Sequence, residues 1–188
     1  MEKLLNDFKE YRKIMDRYAE AVEMITWDIQ TGAPKDSIDH KIESMGFFSG
    51  EIFKMSTADI YGEYLEELSK PENFEKLDDA MKLTVKRESR DYVRFKRVPA
   101  DFYQEYTKTG AKSEQAWEEA KAANDFEIFK PHLDKIIKMT KEYVHYMEPD
   151  EDPYEVLLDM YEEGMDGASI EKIFDELKEG LLPLLDKI

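Results

Sequence analysis

The 188-residue chain is 41% hydrophobic and 38% charged, with 44 Asp and Glu against 27 Lys and Arg, for a formal net charge of −17. That acidity argues against nucleic acid, whose phosphates need Lys and Arg to release counterions, and against anionic membrane surfaces. The absence of cysteine excludes disulfides, thiolate zinc sites and a cysteine nucleophile, while 12% aromatic content and patterned apolar residues exclude a disordered chain.

The opening Met1-Glu2-Lys3-Leu4-Leu5 has no long apolar run, so no signal peptide is expected. No stretch approaches the roughly 20 apolar residues of a membrane span, and the expectation is a soluble cytoplasmic protein. Leu4, Phe8, Tyr11, Met15, Tyr18, Val22, Ile25 and Ile29 then alternate at spacings of four and three, which predicts one apolar stripe on a long first helix packed against an antiparallel neighbour. Gly32 and Pro34 end it.

A second helix is predicted from about Lys35 to Met55, with Ile38, Ile42, Met45, Phe48, Ile52 and Met55 on one face. Ser56 followed by Asp59 predicts a cap for a third helix, whose apolar face would be Ile60, Tyr64 and Leu68 and which Pro71 would end. A long helix follows from about Phe74 to Arg97. Pro99 suits the first turn of the next, which runs to about Ala123 with a break expected at Gly110. Asn124-Asp125 reads as a junction before a helix carrying Phe126, Phe129, Leu133, Ile136, Thr140, Val144 and Met147. Pro149 and Pro153 bracket an acidic loop. A short helix from Tyr154 to Tyr161 ends near Gly164, and Ser169 would cap a last helix bearing Ile170, Phe174, Leu177, Leu181 and Leu184. No convincing strand and no repeat appear. The fold class is therefore all-α, a bundle of long antiparallel helices, with residues 1–188 as a single helical region.

The chemistry is sparse. Zinc peptidases of the H-E-x-x-H type need two histidines one helical turn apart, with Glu as general base. His40, His132 and His145 sit in Asp39-His40-Lys41, Pro131-His132-Leu133 and Val144-His145-Tyr146, and none makes that motif. Glu142-x-x-His145 supplies one of the two turns a di-iron bundle requires, and neither other histidine supplies the second. Phosphate-loop and nucleophile-elbow motifs are absent. Arg87, Arg90, Arg94 and Arg97 fall at spacings of three, four and three on one helix face. They are a candidate carboxylate-binding stripe, but pairing with acidic neighbours is the favoured reading in so acidic a chain. Trp27, next to Asp28, reads as a core or hinge aromatic, and Trp117 as a helix-packing anchor.

Several ordered motifs resemble the thermostable (Taq-type) carboxypeptidase family of zinc H-E-x-x-H metallopeptidases. They are Trp27-Asp28 followed by Pro34, and Val98-Pro99. A longer run follows, Trp117-x-x-Ala120-Lys121-x-x-x-Asp125-Phe126-x-x-Phe129-x-Pro131-x-Leu133, with Lys121 where the family usually has Arg. Next comes Pro153-Tyr154-x-x-Leu157-Leu158-Asp159-x-Tyr161-Glu162-x-Gly164, with Glu155 and Glu163 where Asp and Pro are usual. The closing Ile173-Phe174 to Leu184-Leu185 stretch also fits. The chain departs from the pattern after Asp28, where Ile29-Gln30-Thr31-Gly32-Ala33 lacks the usual Met-Pro ending and no Arg follows Pro34.

The resemblance implies a longer parent, a zinc metallocarboxypeptidase that removes C-terminal residues from peptides, often as a homodimer. It also implies that the zinc ligands and general base lie C-terminal to residues 1–188. On that reading the chain is the N-terminal cleft wall and cover. No catalytic or metal-binding residue is then expected in it, and Trp27, Asp28, Arg87, Arg90, Arg94 and Arg97 are cleft or structural candidates. The chain alone is expected to carry neither peptidase activity nor stoichiometric zinc. The competing reading is a stand-alone helical binding or scaffold module; a third is an inactive paralogue.

Overall fold

The computed structural model describes residues 1–185 and 187, among which there are nine α-helices and no strand. These are α1 (Glu2–Thr31), α2 (Lys35–Ser56), α3 (Asp59–Ser69), α4 (Pro71–Phe74), α5 (Asp79–Phe95), α6 (Ala100–Ala123), α7 (Phe126–Met147), α8 (Pro153–Tyr161) and α9 (Gly167–Leu185). The chain divides into two compact units, Met1–Met147 and Glu148–Ile188.

In the first unit the long helices lie side by side in the order α1, α2, α6, α7, each antiparallel to the next. Tyr11 of α1 donates its hydroxyl to the Met55 carbonyl at 3.0 Å. Tyr18 meets Phe48 with ring centroids 5.9 Å apart, and Lys41 reaches Asp28 at 2.5 Å, so numbers climb along α1 as they fall along α2. Against α6, Phe53 stacks on Tyr103 at 4.0 Å, and Glu43, three turns earlier, pairs with Lys108 at 3.1 Å. Gly46 makes this approach close, because a Cβ there would come within 2.4 Å of Lys108 Cγ. α6 and α7 meet through Phe102 and Tyr146 (5.2 Å), Tyr106 and Tyr143 (5.0 Å), and a hydroxyl contact between Tyr106 and Thr140 (3.1 Å). The tight reversal between them puts Asn124 in the left-handed region, φ 50°, which Asn tolerates better than most residues, and Asp125 Oδ1 accepts from the Glu127 amide at 3.0 Å.

α3 and α5 form a second antiparallel pair that closes over the start of α1. Phe8, Tyr61, Leu65, Leu68, Leu77 and Val85 are all buried there in one cluster. Each such side chain contributes roughly 1.5–3 kcal/mol by leaving water.

Local details correct several expectations. α3 starts after Ala58 without a side-chain cap, and the Ser56 hydroxyl instead donates back to the Phe53 carbonyl at 3.0 Å. Its buried residues are Tyr61, Leu65 and Leu68, while Ile60 is 42% exposed. The long helix expected from about Phe74 to Arg97 is shorter, because a separate one-turn α4 ends at Phe74 and α5 spans only Asp79–Phe95. Pro71 opens α4 rather than merely ending α3, as its fixed φ and missing N–H suit a first helical position. α5 begins only at Asp79, where Asp78 caps it by accepting from the Met81 amide at 2.8 Å. α6 runs unbroken through Gly110.

In the second unit, carboxylates organise the turns. Asp152 accepts from the Tyr154 and Glu155 amides at 2.8 and 3.3 Å and caps α8. Glu155 in turn accepts from the Gly167 amide with both oxygens, at 3.2 and 3.0 Å. Asp166, not Ser169, caps α9, its Oδ1 accepting from the Ser169 amide at 2.8 Å. Gly164 sits at φ 81°, where a side chain would be strained.

Candidate functional site

Trp27 and Asp28 lie near the end of α1. Trp27 is 71% exposed, so of the core and hinge readings the core one does not hold. Its carbonyl accepts from the Thr31 hydroxyl at 2.6 Å. Asp28 is engaged with Lys41 across the α1–α2 seam. Close by on α1, Gln30 donates to Glu114 of α6 at 3.2 Å, tying the same end of the bundle across a third helix. A small recess beside them is lined by Thr26, Ile29, Ile38, Met45 and Gln115.

The four arginines do not all lie on one helix. Arg87, Arg90 and Arg94 are on α5, whereas Arg97 lies in the turn beyond it. Arg90 Nε is 3.5 Å from Asp91 Oδ1, the neighbouring-acid pairing favoured from the sequence. Arg97 donates from Nη1 to the Met147 carbonyl at 2.7 Å. Lys96, which sequence spacing did not single out, reaches the Thr57 carbonyl at 2.5 Å and Asp59 Oδ1 at 2.7 Å.

No sequence pattern marks the charged junction between α1, α3 and α5. Glu88 Oε1 pairs with Arg12 Nε at 2.9 Å, and Oε2 accepts the Tyr61 hydroxyl. Burial pushes the Glu88 carboxyl above the usual carboxylate range, although Tyr61 and Arg12 both pull it down. Burial likewise raises the Tyr61 phenol, helped by Glu88. The Arg12 guanidinium also lies 5.9 Å from the centre of the Phe8 ring. Partners 27 and 76 residues apart in sequence share no local pattern, so only the folded packing reveals them.

Beside this junction, a groove of about 380 Å³ between α3 and α5 is lined by Asp59, Glu63 and Glu66 on one wall and by Tyr92 and Val93 on the other. His40 is on α2, and His132 and His145 are on α7. Among the described residues, no three His, Cys, Asp or Glu side chains come together in a way that could hold a metal ion. None of the described helices is long and apolar enough to cross a membrane.

The aromatic residues of the longer motif cluster near the α6–α7 turn. Trp117 is 45% exposed with the Lys121 ammonium 4.9 Å from its ring centre, and Phe126 meets Phe129 edge-on at 6.3 Å. Lys121 thus places a cation over the Trp117 indole.

Residues 7–188 match the model of the family described as carboxypeptidase Taq (M32) metallopeptidase. Carboxypeptidase 1 of Bacillus subtilis (strain 168) is 36% identical over 182 residues, covering 97% of this chain and 36% of that protein. Thermostable carboxypeptidase 1 of Pyrococcus furiosus is 34% identical over 178 residues, covering 95% and 35%. Among solved structures, the BsuCP crystal structure superposes with a TM-score of 0.91 at 35% identity, over 98% of this chain and 37% of that one. The Pyrococcus furiosus carboxypeptidase structure gives 0.76 at 32% identity, over 100% and 37%. The chain spans little more than a third of the length of the curated relatives it matches. By sequence match and fold together, it belongs to the carboxypeptidase Taq (M32) metallopeptidase family.

Proposed function

We propose that these 188 residues are the N-terminal helical part of a zinc metallocarboxypeptidase that removes C-terminal residues from peptides, working in the cytoplasm as a homodimer. The observation that carries this reading is the match of 98% of the chain to 37% of BsuCP at a TM-score of 0.91. The metal that the family implies does not fit the described residues, whose histidines are spread over α2 and α7 without a converging donor set. No catalytic step is therefore assigned to them.

What these helices supply is shape. The α1–α2–α6–α7 row is cross-tied by aromatic stacks and ion pairs, and such packed, interdigitated layers resist deformation. A rigid wall of this kind holds a peptide substrate in place for groups contributed by the rest of the enzyme. Trp27 and Asp28, at one end of the row, and Arg87, Arg90, Arg94 and Arg97 along and just past α5 are the residues proposed to face substrate or to brace that wall.

A chimera tests the reading. The matching third of Bacillus subtilis carboxypeptidase 1 is replaced by residues 1–188, and release of C-terminal residues from a short peptide is measured together with bound zinc. Activity within about tenfold of the parent is expected, because a wall of the same shape preserves orientation at the reacting centre. A folded, zinc-loaded chimera without hydrolysis would overturn the reading in favour of a helical binding or scaffold module.

A further inference from the structure

The turn between α5 and α6 carries two cations in succession, and each meets the end of a different helix. Lys96 bonds the Thr57 carbonyl, at the C-cap of α2. Arg97 bonds the Met147 carbonyl at 2.7 Å, at the last residue of α7. Carbonyls in the last turn of a helix have no partner within it and carry the negative end of its dipole. A guanidinium there is favoured by both charge and hydrogen bonding.

Met147 is also where the first compact unit stops. Glu148-Pro149-Asp150-Glu151-Asp152 connects it to α8. Pro149 disfavours helical backbone at Glu148, so α7 has to end here and leave its carbonyls to other donors. The Met147 side chain is fully buried and fixes where the residue sits. It does not fix the plane of the Met147–Glu148 peptide, through which the chain leaves. The Met147 carbonyl belongs to that plane, so the Arg97 bond sets its orientation. Four of the connector's five residues are acidic, its Glu151 amide reaches the Glu148 carbonyl at 3.4 Å, and at its far end Asp152 caps α8.

We infer that Arg97 is a positioning residue for the joint after α7, holding the Glu148–Asp152 connector in one ordered path through its bond to the Met147 carbonyl. Two features keep the role local. Buried Tyr143, Val144 and Met147 anchor α7 without Arg97, so its loss loosens the connector rather than the first unit. Lysine at the same place keeps the charge but loses the rigid fork, and so holds the plane less well.

The test is limited proteolysis of the whole 188-residue chain with a glutamate-specific protease, with the Glu151–Asp152 and Glu118–Glu119 cuts followed separately by mass spectrometry. Cleavage tracks the open population when opening is fast. Losing a charged hydrogen bond therefore predicts about a tenfold faster cut after Glu151 in Arg97→Gln, an unchanged cut after Glu118, and an intermediate rate after Glu151 in Arg97→Lys. An unchanged Glu151 rate in a variant with wild-type far-UV circular dichroism overturns the proposal, and so does an equal rise at both sites. Should Arg97→Gln fail to fold, wild type is compared with Arg97→Lys. A faster cut confined to Glu151 supports the role, and identical rates overturn it.

Discussion

α1 and α9 carry the same kind of message in sequence and meet opposite fates. Both have apolar residues alternating at spacings of four and three along one face. On α1 that face is covered: Phe8 is fully buried against Tyr61 and Tyr64, and Tyr18 packs on Phe48. On α9 it is open, with Phe174 55%, Leu177 49%, Leu181 54% and Leu184 55% exposed. An apolar stripe therefore states which surface favours leaving water; it does not state what covers it. The covered case depends on residues from three other helices arriving in register.

The largest effect that would break this contrast is at Phe8. Phe8→Ala removes a fully buried ring from the cluster under α3 and α5 and is expected to cost about 3–5 kcal/mol of stability. Both tryptophans, Trp27 and Trp117, lie in the first unit, so fluorescence-detected urea unfolding reports on that unit alone. A cost below about 1 kcal/mol would show that the α1 seam is as uncovered as that of α9.

Next is the charged junction. Arg12→Met leaves the Glu88 carboxylate half-buried without its guanidinium and is expected to cost about 1–3 kcal/mol in the same assay. The pH dependence has a definite sign. Burial raises the folded Glu88 pKa above its unfolded value, so the folded state binds the extra proton. Stability from this group is full below the ordinary carboxylate pKa and is lost as pH rises through the folded value. Glu88→Gln should therefore remove part of the decline in urea midpoint that sets in as pH rises past the ordinary carboxylate pKa, about 4.3. A steeper decline in the variant would mean that Arg12 outweighs burial.

These two predictions mark the limit of what the sequence discloses. The stripes of α1 and α7, the reversal at Asn124 and the proline-bracketed acidic loop are local patterns and were legible. Errors arose where two local signals competed. Ser56 resembles a cap but its hydroxyl turns back onto Phe53, and α5 begins at Asp79, not Phe74, because the Asp78 carboxylate accepts from the Met81 amide. On α3 the apolar spacing found Leu68 and Tyr64, which are in the core or against it, but it took exposed Ile60 for the face and passed over buried Tyr61 and Leu65. In the candidate site, Trp27-Asp28, the arginines and the pairing of Arg90 with a neighbouring acid are legible in the sequence, but the long-range partners are not. Arg97 bonds a carbonyl 50 residues away, and Glu88 joins helices whose contact only the fold creates.

A smaller effect is expected at Asp28. Its pair with Lys41 is partly exposed, and such pairs contribute roughly 0.2–1 kcal/mol, so Asp28→Ala should barely shift the unfolding midpoint. In the chimera with Bacillus subtilis carboxypeptidase 1, the same change separates two roles. A role in the cleft predicts at least about a tenfold fall in hydrolysis with stability unchanged, whereas a bracing role predicts that the two change together, each by little.

The smallest expected effect closes the comparison from the side of α9. Phe174→Ala removes as large a ring as Phe8→Ala, but from a face in water, so the transfer and cavity costs at Phe8 do not arise. The remaining difference is backbone preference, and alanine favours helix over phenylalanine by a few tenths of a kcal/mol. Far-UV helicity should therefore hold or rise slightly, and the tryptophan-detected midpoint of the first unit should stay within about 0.5 kcal/mol of wild type. A loss of about 2 kcal/mol or more, or a fall in helicity, would mean that the α9 stripe is buried in solution as the α1 stripe is. The contrast between the two helices would then lie in their partners rather than in their exposure.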